Sequence, residues 1–296
     1  MAACWKSNAW RRGDNSLTTQ HEVDRISAAE WWESAITDIA PGSIRIRGYA
    51  IEELIGRISF PAMIWLMLRG ELPRPPEAHL LGALLVAGVD HGPQAPSIAI
   101  ARMAITCGIG INGAIASALN VLGDVHGGAG QQCMELLSEI AKKAGGRDLE
   151  SSVNESLGEF RARHGRFIPG FGHRFHDIDP RAERISELLN QAIRDRVVTG
   201  RYAEIVKAVR EEISRGRSSP IAINIDGISA VLLLELGFPP ELGRGIFVLS
   251  RSVGICAHAF EQLQRGERIK GPIPPELGFH YTGPKPRKLP DGGSMP

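Results

Sequence analysis

The sequence predicts an all-α, soluble fold of one large or two unequal domains, with a minor short β-hairpin near the N-terminus. Three observations lead there. Apolar residues recur at helical spacing through most of the chain, in runs bounded by Gly, Pro or capping residues. Alternation of the strand kind is confined to the neighbourhood of Ile44 to Arg47. A chain of 296 residues with 43% hydrophobic side chains can bury a large core, at the upper length limit for a single domain.

In chain order, residues 1–22 are polar and aperiodic and read as an arm. Ile44 to Arg47 alternates apolar and basic residues as a strand does, and Gly48 ends it before a helical pattern begins at Ala50. Ser59-Phe-Pro61 is a helix start, with Ser59 as N-cap and Pro61 in the first turn, and Gly70 is the stop. The next helix runs from Pro76 to Val89 with one stripe of Leu80, Leu81, Leu84 and Leu85, broken by Asp90-His91-Gly92-Pro93. Further helices fit Ser97–Cys107, Asn112–Leu122, Gly128–Ala144, Ser152–His164, Arg181–Val197, Tyr202–Ser214 and Gly227–Leu236. Ser152-Val-Asn-Glu155 has the spacing of a capping box. The last helix, Pro240 to Arg265, is largely apolar yet contains Arg244, Arg251, His258 and Glu261, which do not read as surface charges. Residues 271–296 hold seven of the nineteen prolines, an arm-like ending.

Thirty-four basic and thirty-three acidic residues leave a net charge of +1, so no global field gathers nucleic acid or a membrane surface. Any anionic ligand must be held by locally placed cations. Cys4, Cys107, Cys133 and Cys256 show no CxxC spacing and read as free thiols of a reducing cytoplasm. The N-terminus has no apolar targeting core, and no stretch reaches the ~20 apolar residues of a membrane span.

Three segments join a titratable residue to glycines and a following helix: Gly123-Asp-Val-His126-Gly-Gly-Ala-Gly130, Pro169-Gly-Phe-Gly-His173-Arg174 and Asn224-Ile-Asp226-Gly227. Glycine admits a substrate close to the backbone, and a helix start supplies unpaired N–H groups and positive potential, which suits a thioester enolate. Singly, Asp226 also reads as an N-cap, His126 as a satisfied core histidine and His173 as a turn residue. Together they supply a carboxylate to move an α proton, a donor to an enolate oxygen and an acid for a carbonyl partner. Arg251, set in the apolar run Ile246 to Ile255, must meet an anion, either a substrate carboxylate or a partner such as Glu235 or Glu261. Gly108-Ile-Gly-Ile-Asn-Gly113 matches a dinucleotide fingerprint but follows a helix, and His173-Arg-Phe-His176-Asp177 lacks metal-site spacing; no metal is expected.

In order and spacing these segments resemble the citrate synthase family over roughly residues 34–284. Arg47-Gly-Tyr-Ala-Ile-Glu-Glu-Leu54 and Gly70-Glu-Leu-Pro73 open the match. His126-Gly-Gly-Ala, Gly170-Phe-Gly-His173 with Asp179-Pro-Arg181, Asn224-Ile-Asp226 and Ser250-Arg251 continue it. The resemblance implies Asp226 as the base that forms the enol, His126 as hydrogen-bond donor to the thioester oxygen and His173 as the acid for a 2-oxo acid's carbonyl. His91, Arg181 and Arg251 would hold substrate carboxylates. Phe167, Ile168, Pro169, Gly170, Phe171 and Gly172 would form a coenzyme A loop, with Arg166, Arg174 and, on a face that also reads as solvated, Arg163 near the phosphates. The coenzyme A thioester would be a substrate, with no tightly bound cofactor.

Asp90-His91-Gly92-Pro93, Gly245-Ile-Phe-Val-Leu-Ser-Arg251-Ser and Asn224-Ile-Asp-Gly227 look closer to the citryl-CoA lyase module of ATP-citrate lyase. His126 departs from that module and is synthase-like. Synthases of the family carry an Arg-Pro near the C-terminus, where this chain has Lys270-Gly271-Pro272; a lost clamp would fall to Lys270, Arg268 or Arg287. The chain is also shorter than most synthases and has no ATP-using module, so a lyase would use citryl-CoA made by a partner. The expectation is reversible Claisen-type cleavage of citryl-CoA to acetyl-CoA and oxaloacetate. The alternatives are citrate or 2-methylcitrate synthesis and a catalytically inactive CoA-binding regulatory subunit. The resemblance further implies a homodimer or higher homo-oligomer. It implies a large helical domain from residues 23–127 and 238–284, a small one from 128–237, and arms at 1–22 and 285–296.

Overall fold

The computed structural model describes residues 33–172 and 179–288, and the chain divides into two compact units, one ending at Leu72 and one beginning at Pro73. The first unit holds strands β1 (Thr37–Ala40), β2 (Ser43–Ile46) and β3 (Tyr49–Ala50), followed by helices α1 (Ile51–Leu54) and α2 (Phe60–Arg69). The strands form one antiparallel sheet in the order β1-β2-β3, with Thr37 opposite Ile46 and Ala40 opposite Ser43. The expected strand at Ile44 is thus the middle of three. Its neighbour Thr37–Ala40, as short as the middle strand, reads Thr-Asp-Ile-Ala with no apolar–polar alternation, and Tyr49–Ala50 is only two residues. Helix α2 starts and stops as its sequence dictates: Ser59 Oγ accepts the Ala62 N–H at 3.4 Å, and Gly70 closes the helix in the left-handed conformation.

The second unit is built from helices α3 (Pro75–Gly88), α4 (Pro96–Thr106), α5 (Ile111–Leu119), α6 (Ala129–Lys143), α7 (Leu149–His164), α8 (Pro180–Arg194), α9 (Arg201–Ser214), α10 (Ile225–Glu235) and α11 (Gly243–Arg265). Helices α4, α5 and α11 pack around a core of small and β-branched residues, Ile98, Ala101, Ile105, Ala114, Ala118, Ile255 and Ala259. Small side chains let three helices approach closely. Helices α6 to α10 pack among themselves, and α3 touches both this group and α11.

Four sequence expectations need correction, two of them helix ends: α5 and α8 stop at Leu119 and Arg194, each three residues before the expected Leu122 and Val197. The capping box at Ser152 is not formed, because Asp148 caps α7 from one turn earlier by accepting the Ser151 N–H at 2.9 Å; Ser152 lies inside the helix and bonds the Asp148 carbonyl. The last helix begins at Gly243 rather than Pro240, since Pro239-Pro240 sets a 3₁₀ turn over Pro240–Leu242 first. Among the described residues no helix is long and apolar enough to cross a membrane, and Cys107, Cys133 and Cys256 are free thiols.

Candidate active site

A cavity of about 690 Å³ in the second unit is lined by His91, His126, Arg181, Asp226 and Arg251. Five residues spread across most of the chain therefore meet at one place. His91 comes from the turn after α3, His126 from the loop before α6, Arg181 from the first turn of α8, Asp226 from the first turn of α10 and Arg251 from the middle of α11. Two guanidinium groups and one carboxylate line the cavity, so it suits an anionic guest.

Asp226 is not the cap of its helix. Asn224 takes that role, accepting the Gly227 N–H at 3.1 Å, and leaves Asp226 in the first turn facing the cavity. Asn224 also ties the helix start to the loop Phe167–Gly172. Its N–H donates to the Gly170 carbonyl at 3.0 Å and its side-chain amide to the Gly172 carbonyl at 2.7 Å, while the Gly172 N–H donates to Ala222 at 2.8 Å. The two segments meet glycine to glycine: a Cβ on Gly227 would lie 2.3 Å from the Gly170 carbonyl oxygen, and one on Gly170 would lie 2.8 Å from the Cys133 sulfur. Gly170 moreover has φ +88°, a conformation that side chains disfavour. The buried Cys133 thiol sits under this junction, its pKa raised by burial and then by the Asp226 charge.

His126 is a half-buried imidazole whose Nε2 accepts the Ser97 N–H at 3.3 Å and lies 3.0 Å from Ser97 Oγ. Ser97 is the second residue of α4, so a helix N–H is spent on the ring. Because that bond requires Nε2 to be an acceptor, the ring proton resides on Nδ1. Burial and then the charge of Arg251 hold the imidazole below its usual pKa, which keeps it neutral and a donor at neutral pH.

Arg251 is buried, with Nε donating to the Gly88 carbonyl at 3.0 Å and its guanidinium 4.9 Å from the Phe247 ring centre. Burial depresses its pKa, opposed by Asp90 and Asp226 and reinforced by Arg181. Neither expected internal partner serves it. Glu235 caps the start of α9 through Thr199, Gly200 and Tyr202, and Glu261 pairs with Arg102 and Arg265. Arg181 is pinned by a two-point bond to buried Asp179 at 2.9 and 3.0 Å, which fixes the plane of its fork.

The loop Phe167–Gly172 does not line the cavity; it lies against the segment that leads into α10. The carbonyls of Gly170 and Gly172 are used in that tie, and Ile168 is buried. Phe167 is exposed, with the Arg166 guanidinium 4.8 Å from its ring centre, a flat cationic platform on the surface. Arg163 faces Glu139 at 3.5 Å on the solvated side of α7. His173, Arg174 and His176 lie outside the described residues. Sequence reasoning missed Ser97 as the holder of His126, and named Asp179 within its motif without the role of holding Arg181.

Residues 73–272 match a family model described as the citrate synthase C-terminal domain. A citrate synthase of Haloferax volcanii is 31% identical over 224 residues, covering 74% of this chain and 54% of that protein. A citrate/2-methylcitrate synthase of Bacillus subtilis is 31% identical over 227 residues, covering 76% and 58%. The chain thus spans about half the length of the curated relatives it matches. Among solved structures, citryl-CoA lyase from Hydrogenobacter thermophilus superposes with TM-score 0.77 at 32% identity, covering 88% of this chain and 97% of that one. ATP citrate lyase from Methanothrix soehngenii, in complex with citrate and coenzyme A, shares the fold with TM-score 0.74 at 19% identity, covering 96% of this chain and 47% of that one.

Proposed function

The chain belongs to the citrate synthase family, and from that premise we propose that it cleaves citryl-CoA, or a close analogue, to acetyl-CoA and oxaloacetate. The observation that carries the reading is the meeting of Asp226, neutral His126, Arg181 and Arg251 on one cavity. Similarity to a citryl-CoA lyase over nearly that protein's whole length supports cleavage as the direction.

In the proposed reaction Arg181, Arg251 and His91 hold the carboxylates. His173 takes the proton of the tertiary hydroxyl, the carbonyl of oxaloacetate forms, and the adjacent carbon–carbon bond breaks. Its electron pair passes to the thioester as an enolate, which the Nδ1–H of His126 stabilises. Asp226 in its protonated form then delivers a proton to carbon, giving acetyl-CoA. A neutral imidazole suits this role better than an imidazolium, because its proton stays on the ring while the oxygen charge develops. In reverse, the same groups condense acetyl-CoA with oxaloacetate. Helices α6 to α10 would close as a small domain over the cavity and exclude water. A homodimer or higher homo-oligomer belongs to the same reading, supported by exposed Leu249, Val253 and Phe260 on one side of α11. The exposed Arg166–Phe167 platform offers a place for the adenine end of a coenzyme A thioester.

Synthesis is the second reading, supported by curated relatives that carry the names of citrate synthases. Against it, Gly271 stands at the expected place of a C-terminal clamp, and Lys270, one of its candidate replacements, is engaged by Glu267 at 2.8 and 3.0 Å. Citryl-CoA mixed with the purified chain should release acetyl-CoA and oxaloacetate, the latter read by a coupled dehydrogenase. Asp226→Ala should lower the rate by about 10³ with coenzyme A binding and the thermal midpoint kept. Thiol release from acetyl-CoA and oxaloacetate without any cleavage would replace the lyase by the synthase, and an unchanged rate in Asp226→Ala would remove the mechanism.

A further inference from the structure

The turn that carries His91 is gripped by α11 at three successive points. Arg251 Nε bonds the Gly88 carbonyl at 3.0 Å. Gly254 passes so close that a Cβ there would lie 2.1 Å from the Val89 carbonyl oxygen. His258 Nε2 meets Asp90 Oδ2 at 3.3 Å. Spacings of three and four place all three residues on one face of the helix. Asp90 Oδ2 also accepts the Gly92 N–H at 3.0 Å, so its carboxylate clasps the turn, whereas Oδ1 is buried with no hydrogen-bond partner among the described residues.

The proton on His258 has a defined place. Arg102 Nη1 is 3.4 Å from His258 Nδ1, and a guanidinium only donates, so Nδ1 accepts and Nε2–H donates to Asp90. Arg102 is itself held by Glu261 at 3.0 Å and by Gln262 Oε1 at 3.1 Å. Asp90, His258 and Arg102 do not line the cavity. Asp90 nevertheless adjoins His91, and its charge reaches Arg251, with which it makes no ion pair among the described residues.

We propose that His258 is a positioning residue for the carboxylate-binding end of the cavity, acting through Asp90. By holding Oδ2 it fixes the turn from which His91 faces the cavity. It also keeps the Asp90 carboxylate turned from Arg251, so that the buried guanidinium remains available to a substrate carboxylate instead of being neutralised from within. The inference rests on the reading of His91 and Arg251 as carboxylate holders and adds the residue that keeps them so.

The test is calorimetric binding of oxaloacetate and of coenzyme A to the full chain, beside steady-state cleavage of citryl-CoA. His258→Phe keeps the ring's bulk and removes the donor. It should weaken oxaloacetate binding about tenfold, the scale of one charge-assisted hydrogen bond, while coenzyme A binding stays unchanged. His258→Gln, whose amide N–H can reach the same oxygen, should recover most of the loss. Asp90→Asn combined with His258→Phe should cost little more than His258→Phe alone, since both act through one contact. Unchanged oxaloacetate binding in His258→Phe overturns the proposal, as does equal weakening for both ligands. If the wild-type chain cleaves no citryl-CoA but binds oxaloacetate with this dependence on residue 258, the reaction assignment falls and the positioning role stands. A wild-type chain that binds no oxaloacetate removes both.

Discussion

A single methyl group at Gly227 tests whether the junction of loop and helix is as tight as its geometry states. The added carbon of Gly227→Ala would sit 2.3 Å from the Gly170 carbonyl oxygen and 2.7 Å from Ile223 Cγ1. An ordinary carbon–oxygen contact is about 3.3 Å, so the two backbones must part by about 1 Å. That movement falls on the Asn224 N–H bond to Gly170 and on the Gly172 N–H bond to Ala222. Overpacking of a closed site is worth about 1–3 kcal/mol and one weakened buried backbone bond about 1 kcal/mol. The better helix propensity of alanine returns up to about 1 kcal/mol, leaving a net loss of about 1–3 kcal/mol. Gly158, inside α7 with nothing within 4 Å of an added Cβ, is the control: Gly158→Ala should gain about 0.5–1 kcal/mol. Urea unfolding followed by circular dichroism measures both, with midpoints compared at unchanged slope. A Gly227→Ala midpoint at or above that of wild type, beside a raised Gly158→Ala midpoint, would refute the close-contact reasoning.

Two further outcomes follow from the electrostatics. His126 has its pKa held below the ordinary 6.5 or so by burial and by Arg251, so between that depressed value and about 6.5 the unfolded chain binds more protons than the folded one. Stability therefore falls as pH drops through this window. His126→Gln should show a flatter fall in urea midpoint between pH 7 and 5, and an identical pH profile would exclude the assignment. Arg251→Met removes a buried cation that has no carboxylate partner among the described residues, so the unliganded chain should be as stable as wild type or up to about 1 kcal/mol more so, while calorimetry shows oxaloacetate binding lost. A destabilised variant that still binds would show the guanidinium to be structural.

The helices were legible because their ends are written locally. Ser59 with Pro61 and Gly70 bracket α2, and Pro96 and Gly108 bound α4. Errors arose where two local signals compete: Asp148 and Ser152 both suit an N-cap one turn apart, and only the tertiary path of the chain selects Asp148. In the site, the buried setting of Arg251 announced a ligand-sized problem, but only coordinates show that Glu235 and Glu261 are occupied elsewhere. The order of the motifs brought His91, His126, Arg181, Asp226 and Arg251 together on paper, as the cavity does in space. Ser97 and His258 were not legible in their roles, because those depend on contacts across 29 and 168 residues with no spacing rule to reveal them. The loop Phe167–Gly172 reads as a ligand loop, whereas the use of its glycine carbonyls to anchor α10 appears only once the backbones are seen side by side.

The thiol beneath that anchor gives the protein a clock of its own. A cysteine reacts with an alkylating reagent only as an exposed thiolate, and Cys133 is wholly buried with its acidity suppressed. Cys107 is exposed and should be modified first; Cys256 is exposed on the side of α11 assigned to a second copy, and its protection would report that contact separately. The slow second phase would then count the openings at the Gly170–Gly227 junction, where loop and helix must separate before reagent can enter. Its rate with and without oxaloacetate would report how firmly an occupied cavity keeps that seam shut, in a chain that needs no engineered label.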